Sequence, residues 1–201
     1  MSILDLLRRA RWMSLGLALA MAPSALVGCA PSEEEAAAPY EDGAVEEIAN
    51  VLQSAVKRQS IGNCWIYATL GWVESMNRAR TGVEANYSES YVTFWDWFAK
   101  INSNGTGVSS TTTNGVTART IETGGSWQLA ASLIKQRGLM TEGDFIPDES
   151  TAEMSARQAA AERAVNAALS DGGELATPEA RRDGARVLAV LGRAWNLSPS
   201  I

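Results

Sequence analysis

The sequence predicts a mainly α fold over residues 51–201, and three observations carry that prediction. Apolar side chains recur at helical spacings of three and four. Helix start and stop residues bracket those stretches. No long alternation of apolar and polar residues announces a sheet. With 201 residues, 46% of them hydrophobic and 20% charged, the chain has the length of one domain plus an appendage and can bury a core.

The elements follow in order. Arg8, Arg9 and Arg11 precede an apolar stretch from Trp12 to Val27, broken by Pro23 and closing on small residues. Basic, then apolar, then small is the order of an export signal. The stretch is shorter than the roughly 18 residues of a spanning helix. Leu26-Val27-Gly28-Cys29 resembles a bacterial lipoprotein cleavage box, which would make Cys29 the lipid-carrying first residue of an exported, membrane-anchored chain. The alternative is an ordinary secretory signal with a chance cysteine. Residues 1–28 are thus predicted as a signal peptide. Residues 29–50, with Pro31, Glu33 to Glu35, Ala36 to Ala38 and Pro39, form a solvated tether.

Folded structure is predicted from Val51. A first helix opens at Cys64 after the Gly62-Asn63 turn, runs to about Arg80 and stops at Thr81-Gly82. A second starts from Ser88 as N-cap and places Tyr91, Phe94, Trp95 and Phe98 along one face, a stripe suited to core packing. Asn102 to Thr117, rich in Ser, Thr, Gly and Asn with two Asn-Gly pairs, reads as a flexible loop. A third helix runs from Ser126 to about Arg137 and ends at Gly138, with Trp127, Ala130, Leu133 and Ile134 inward. Ser150 to Leu197 holds an Ala-rich helix to Leu169, a break at Asp171-Gly172-Gly173, and a helix opening at Thr177-Pro178 with Val187, Leu188, Leu191 and Trp195 as its buried stripe.

Composition restricts the chemistry more than charge does. The chain contains no histidine, and imidazole is the commonest general base near neutral pH and the commonest metal ligand. A Ser-His-Asp triad, a Cys-His dyad completed within the chain and a His-based zinc site are excluded. Two cysteines cannot build a Cys-rich zinc site, so neither metal nor cofactor is expected. Seventeen Lys and Arg against 23 Asp and Glu give a net charge of −6 and no basic patch, which argues against a nucleic-acid partner.

One segment carries chemistry: Lys57-Arg58-Gln59-Ser60-Ile61-Gly62-Asn63-Cys64-Trp65-Ile66-Tyr67-Ala68, leading into a helix. A thiol at a helix N-terminus faces the positive end of the dipole, which favours thiolate, and unpaired N–H groups there can hydrogen-bond the oxyanion of an acyl transfer. A buried structural thiol is the bland alternative for Cys64.

This segment resembles the nucleophile segment of papain-like cysteine peptidases. Ile61 stands where the family has a cysteine, so the resemblance implies that a family disulfide is missing; a lipid-carrying Cys29 need not pair with Cys64. Tyr87-Ser88-Glu89-Ser90-Tyr91, Phe94-Trp95-Asp96, Gly124-Gly125-Ser126-Trp127 and Gly138-Leu139 follow in the order of the bleomycin hydrolase branch. The resemblance implies the helical lobe of the papain-like α+β fold, with Cys64 as nucleophile and Trp65, Gly124 and Gly125 bordering an extended peptide or protein substrate. It also implies an oxyanion-hole glutamine. Gln59 is the candidate, one position closer to Cys64 than the family has it, with Arg58 in the usual slot; a solvent-facing glutamine is the alternative.

The family's base is a histidine about 130–150 residues beyond the cysteine, carried with an asparagine on a β-rich lobe. The remaining chain barely reaches that interval. The resemblance therefore implies the amino-terminal portion of such a peptidase, ended early with the β-rich lobe absent, and weakly active or inactive alone. The alternative is a non-catalytic lipoprotein that binds a peptide or a partner protein through the same lobe.

Overall fold

A computed structural model describes residues 51–103, 106–152 and 154–197. The predicted signal peptide, the predicted tether, the expected lipidation residue Cys29 and the first Asn-Gly pair lie outside the described residues. The described chain is mainly helical with one small sheet: α1 Cys64–Thr81, α2 Glu89–Asn102, β1 Val108–Thr113, β2 Val116–Ile121, α3 Trp127–Arg137, α4 Ser155–Leu169, α5 Pro178–Arg182 and α6 Gly184–Ala194.

Local signals account for most boundaries. Ser88 caps α2 by accepting from the Tyr91 N–H, and Ser126 caps α3 by accepting from Leu129. Gly82, at φ 72°, closes α1 with its N–H on the Arg78 carbonyl. Thr177 caps Pro178 and the short α5 through the Ala180 N–H. The predicted last helix is in fact two: Asp183 ends α5 in extended geometry, and its carboxylate restarts the chain as α6 by accepting from Arg186.

The segment read as a flexible loop corrects to a hairpin. Asn114 (φ 50°) and Gly115 (φ 77°) form the tight turn, whose left-handed residues match the twist of paired strands. β1 and β2 pair antiparallel from Val108↔Ile121 to Thr113↔Val116. The outer edge of β2 is covered: the N–H groups of Thr117, Arg119 and Ile121 donate to Asp171 Oδ2, Ser170 Oγ and Asn166 Oδ1. Polar side chains at the end of α4 thus do for this edge what a third strand would.

Two apolar clusters meet across α2. One gathers Trp97 and Ile101 with Phe145, Leu169, Val187, Leu191 and Trp195; the other packs Val92 against Trp65, Ile66, Leu70, Ala130 and Leu133. Tyr91 and Trp95 are partly buried and touch both. Trp97, fully buried and 5.3 Å from Trp195, outranks the stripe named from spacing.

Two inward placements are overturned. Trp127 is 53% exposed, because steps of three residues drift by about 60° each and carry it well off the Ala130–Leu133 face. Leu188, 37% exposed, lies at the edge of the arc of Val187, Val190, Leu191 and Trp195. Upstream of α1, residues 51–62 form no regular element but are tied down: Ser54 Oγ donates to Glu74 at 2.6 Å and Ser60 Oγ to the Ser155 carbonyl at 2.7 Å.

Candidate active site

Cys64 is free, exposed and the first residue of α1. The turn before it is fixed by Asn63, which is buried and serves as the N-cap position without a side-chain cap. The Asn63 N–H donates to the Ile61 carbonyl at 2.7 Å, its carbonyl accepts from Ile66 at 2.9 Å, and its amide donates to Thr93 Oγ1 on α2 at 3.2 Å. The first turn of α1 contains no acidic side chain. The positive end of the dipole is therefore not neutralised locally, and among the described residues the N–H groups of Cys64 and Trp65 have no acceptor.

Trp65 joins this turn to the glycine pair. Its indole N–H donates to the Thr123 carbonyl at 2.9 Å, and its buried ring lies against Gly125 so closely that a Cβ there would come within 2.4 Å of it. Gly62 approaches the same stretch: a Cβ on it would sit 2.5 Å from Thr123 Oγ1. Gly125 needs glycine for this close approach to a buried ring, whereas at Gly62 the neighbour is the end of the Thr123 side chain, which can turn. Gly124 and Gly125 are exposed. Among the described residues nothing hydrogen-bonds the Gly124 N–H or either backbone group of Gly125.

Trp65, Gly124 and Gly125 are thus brought together beside the turn that leads into Cys64. Gln59 is exposed and makes no hydrogen bond among the described residues. One contributor escaped the sequence reading. Lys100, on α2, donates to Asp96 Oδ2 at 2.7 Å, to the Glu122 carbonyl at 2.7 Å and to the Gly124 carbonyl at 2.8 Å. Burial pushes the Asp96 carboxyl up to about 6, against the pull of Lys100. An Asp-to-Lys pair four residues apart usually marks a solvated helix face, so its spacing gave no sign of this role.

A family model described as the peptidase C1-like family matches residues 32–173. The chain belongs to that family. Aminopeptidase W of Lactobacillus delbrueckii subsp. lactis is 29% identical over 96 residues, covering 43% of this chain and 22% of the relative. The chain spans about a fifth of the length of that curated relative. The family supports a peptidase-type, hydrolytic function in coarse terms.

This C1-like chain has a second polar centre, around Lys57. Lys57 Nζ lies 2.8 Å from Glu89 Oε1, 2.9 Å from Glu142 Oε1 and 3.7 Å from Glu74 Oε1. Glu89, Glu142 and Glu149 bring carboxylate oxygens within 4.8 Å of one another, a spacing compatible with a metal ion. The ammonium of Lys57 already bonds two of the three, so the cation the cluster holds is its own lysine.

Burial raises Glu89 to about 7, against the charge and hydrogen bond of Lys57. Burial also raises Glu149, opposed by hydrogen bonds from Ser88 and Ser90. Tyr67, beside the cluster, is pushed up to about 12, again chiefly by burial. Lys57 itself is raised: burial works against its charge, and Glu89 more than offsets that. A cavity of about 390 Å³ opens over these groups.

Proposed function

We propose that the chain is the cysteine-bearing helical lobe of a papain-like peptidase, with Cys64 as the nucleophile of an acyl transfer. The observation that carries this reading is the juxtaposition of two features. An exposed thiol stands at a helix N-terminus free of acidic side chains, and Trp65 joins its turn to an exposed glycine edge. An extended peptide pairs its backbone with Gly125, which places a scissile carbonyl near Cys64. The thiolate attacks that carbonyl carbon, a C–S bond forms, and first-turn N–H groups receive the oxyanion. When the intermediate collapses, the C–N bond breaks and the amine leaves with a proton; water then hydrolyses the thioester. Gln59 is the proposed side-chain donor to the oxyanion.

The proton relay needs a base. These 201 residues contain no histidine, so the imidazole comes from polypeptide outside them. Along α1, Cys64, Ala68, Trp72 and Met76 are exposed at four-residue spacing, and Trp127 meets Trp72 edge to face at 6.2 Å. This apolar face supports a second lobe as its cover. Export and anchoring through a lipidated Cys29 complete the proposal. Among the described residues no helix is long and apolar enough to cross a membrane. A second reading, peptide or protein binding without chemistry, is favoured by the absent imidazole and uses the same glycine edge.

The test supplies the missing base. With a peptidyl p-nitrophenyl ester and added imidazole, the chain is expected to release a burst of nitrophenolate of about one equivalent per Cys64. Peptide-amide cleavage by the chain without added base is expected to be absent. A burst unchanged in Cys64→Ala would overturn the nucleophile assignment, and Cys64-dependent amide turnover without added base would overturn the need for an external imidazole.

A further inference from the structure

We propose that Lys100 is a positioning residue for the peptide-pairing edge: its ammonium, anchored by Asp96, fixes the carbonyls of Glu122 and Gly124 and so presents Gly125 to a bound peptide backbone. The inference rests on the reading of Gly124 and Gly125 given above and names a part of the site outside the motifs.

The geometry is over-determined at Lys100. A lysine ammonium has three donors, and here all three are used, on Asp96 Oδ2, the Glu122 carbonyl and the Gly124 carbonyl. The carbon stem is confined by Gly107, where a Cβ would come within 2.3 Å of Lys100 Cγ. The Gly107 carbonyl in turn accepts from the Glu122 N–H at 2.9 Å. The ammonium also stands 5.6 Å over the Trp65 ring, and the side chain is only 13% exposed.

Glu122 to Gly124 is consequently held from both sides. Alternate carbonyls of an extended chain point in opposite directions. Those of residues 122 and 124 meet Lys100, and the one between, on Thr123, meets the Trp65 indole. Three consecutive acceptors are thereby consumed within the protein, and the next peptide groups, at Gly125, are left to an incoming strand. A flexible glycine pair pays conformational entropy whenever it orders on a ligand, and Lys100 removes that cost in advance. An arginine could not replace it, because a planar guanidinium cannot direct three donors tetrahedrally within the same space.

The experiment compares two reagents with one warhead on the full chain. Acetyl-dialanyl chloromethyl ketone carries a peptide backbone and chloroacetone does not. Each alkylates the thiolate, forming C–S and releasing chloride, and labelling is read at Cys64 by peptide mass spectrometry. Because both reagents use the same thiolate, the ratio of their rates cancels any change in thiol reactivity and reports backbone pairing.

The folded wild type is expected to show a ratio roughly tenfold above that of the urea-unfolded chain, the effect of one or two net hydrogen bonds. Lys100→Met is expected to lose most of that advantage. Asp96→Asn, which keeps the lysine but removes its anchor, is expected to lose part of it. A wild-type ratio equal to the unfolded one removes the peptide-edge reading itself, and Lys100 with it. A high wild-type ratio retained in full by both variants overturns the role of Lys100 alone and leaves the edge standing.

Discussion

Lys57 shows how one residue outside any regular element can hold the site's approach. It stands seven positions before Cys64 and ties residues 51–62 to Glu74 on α1, Glu89 on α2 and Glu142. Removing a partly buried cation leaves these carboxylates without their counter-charge, a loss of about 2 kcal/mol or more. Lys57→Met is therefore expected to lower the melting temperature, and by an amount that depends on pH. Without Lys57 the folded pKa of Glu89 rises further above its value of about 7, so keeping it ionised costs more. The penalty is small near pH 5, where Glu89 is protonated in the fold, and grows as pH rises through about 7 to 8. Melting curves of both proteins at those two pH values check this. An equal loss at both would show that Lys57 acts by packing alone. The sequence displays Lys57 and three glutamates as ordinary surface charges; only the tertiary arrangement collects them, because the partners stand up to 85 positions away.

At the scale of elements, the helices were legible and the hairpin was not. Ser88, Ser126 and Thr177-Pro178 are local signals that act through the adjacent backbone, so the structure keeps each start where the sequence puts it. β1 is exposed in all but Val108 and is otherwise Ser and Thr, and the inward residues of β2 are the polar Thr117 and Arg119 before Ile121, while Val116 and Ala118 face out. Their alternation is thus hidden, and only the Asn114-Gly115 turn marked them. Legibility at the site divided the same way. Gly124, Gly125 and Trp65 announce themselves by motif, whereas Lys100 looks like half of a surface ion pair. The turn also governs what the hairpin contributes. Gly115 is at φ 77°, where a side chain costs about 1–2 kcal/mol. Gly115→Ala is expected to loosen the hairpin locally. In amide hydrogen exchange, protection should fall at Thr117, Arg119 and Ile121, whose N–H groups bond the end of α4, and stay unchanged through α1 and α3. Unaltered protection at those three amides would show that α4, not the turn, sets the strand in place.

The whole molecule carries its ionisable burden on the acidic side, and that fixes where it is most stable. Burial raises Glu89 to about 7 and Asp96 to about 6, and raises Glu149 as well. A carboxyl whose pKa is higher folded than unfolded binds more protons in the fold between the two values, so stability falls as pH rises through that window. For Glu89 the window runs from 4.5 to about 7, and for Asp96 from 3.8 to about 6. Asp171 and Glu179 are shifted the other way, by backbone hydrogen bonds first. Their contribution is present above their unfolded values and is lost only in stronger acid. Lys57, which burial lowers and its carboxylate partners raise overall, contributes below 10.5, and its pairing with Glu89 fades as that carboxylate takes up its proton below about 7. The net charge of −6 adds self-repulsion that acid also relieves. These terms together predict a melting temperature that climbs from about pH 8 to about pH 5.5 and drops below about pH 4, measured by circular dichroism at constant ionic strength. Asp96→Asn should flatten the rise around pH 6, because the amide cannot lose the proton whose loss is costly there. A maximum at pH 8 or above would mean that Lys57 and Lys100 hold the buried carboxylates ionised without penalty.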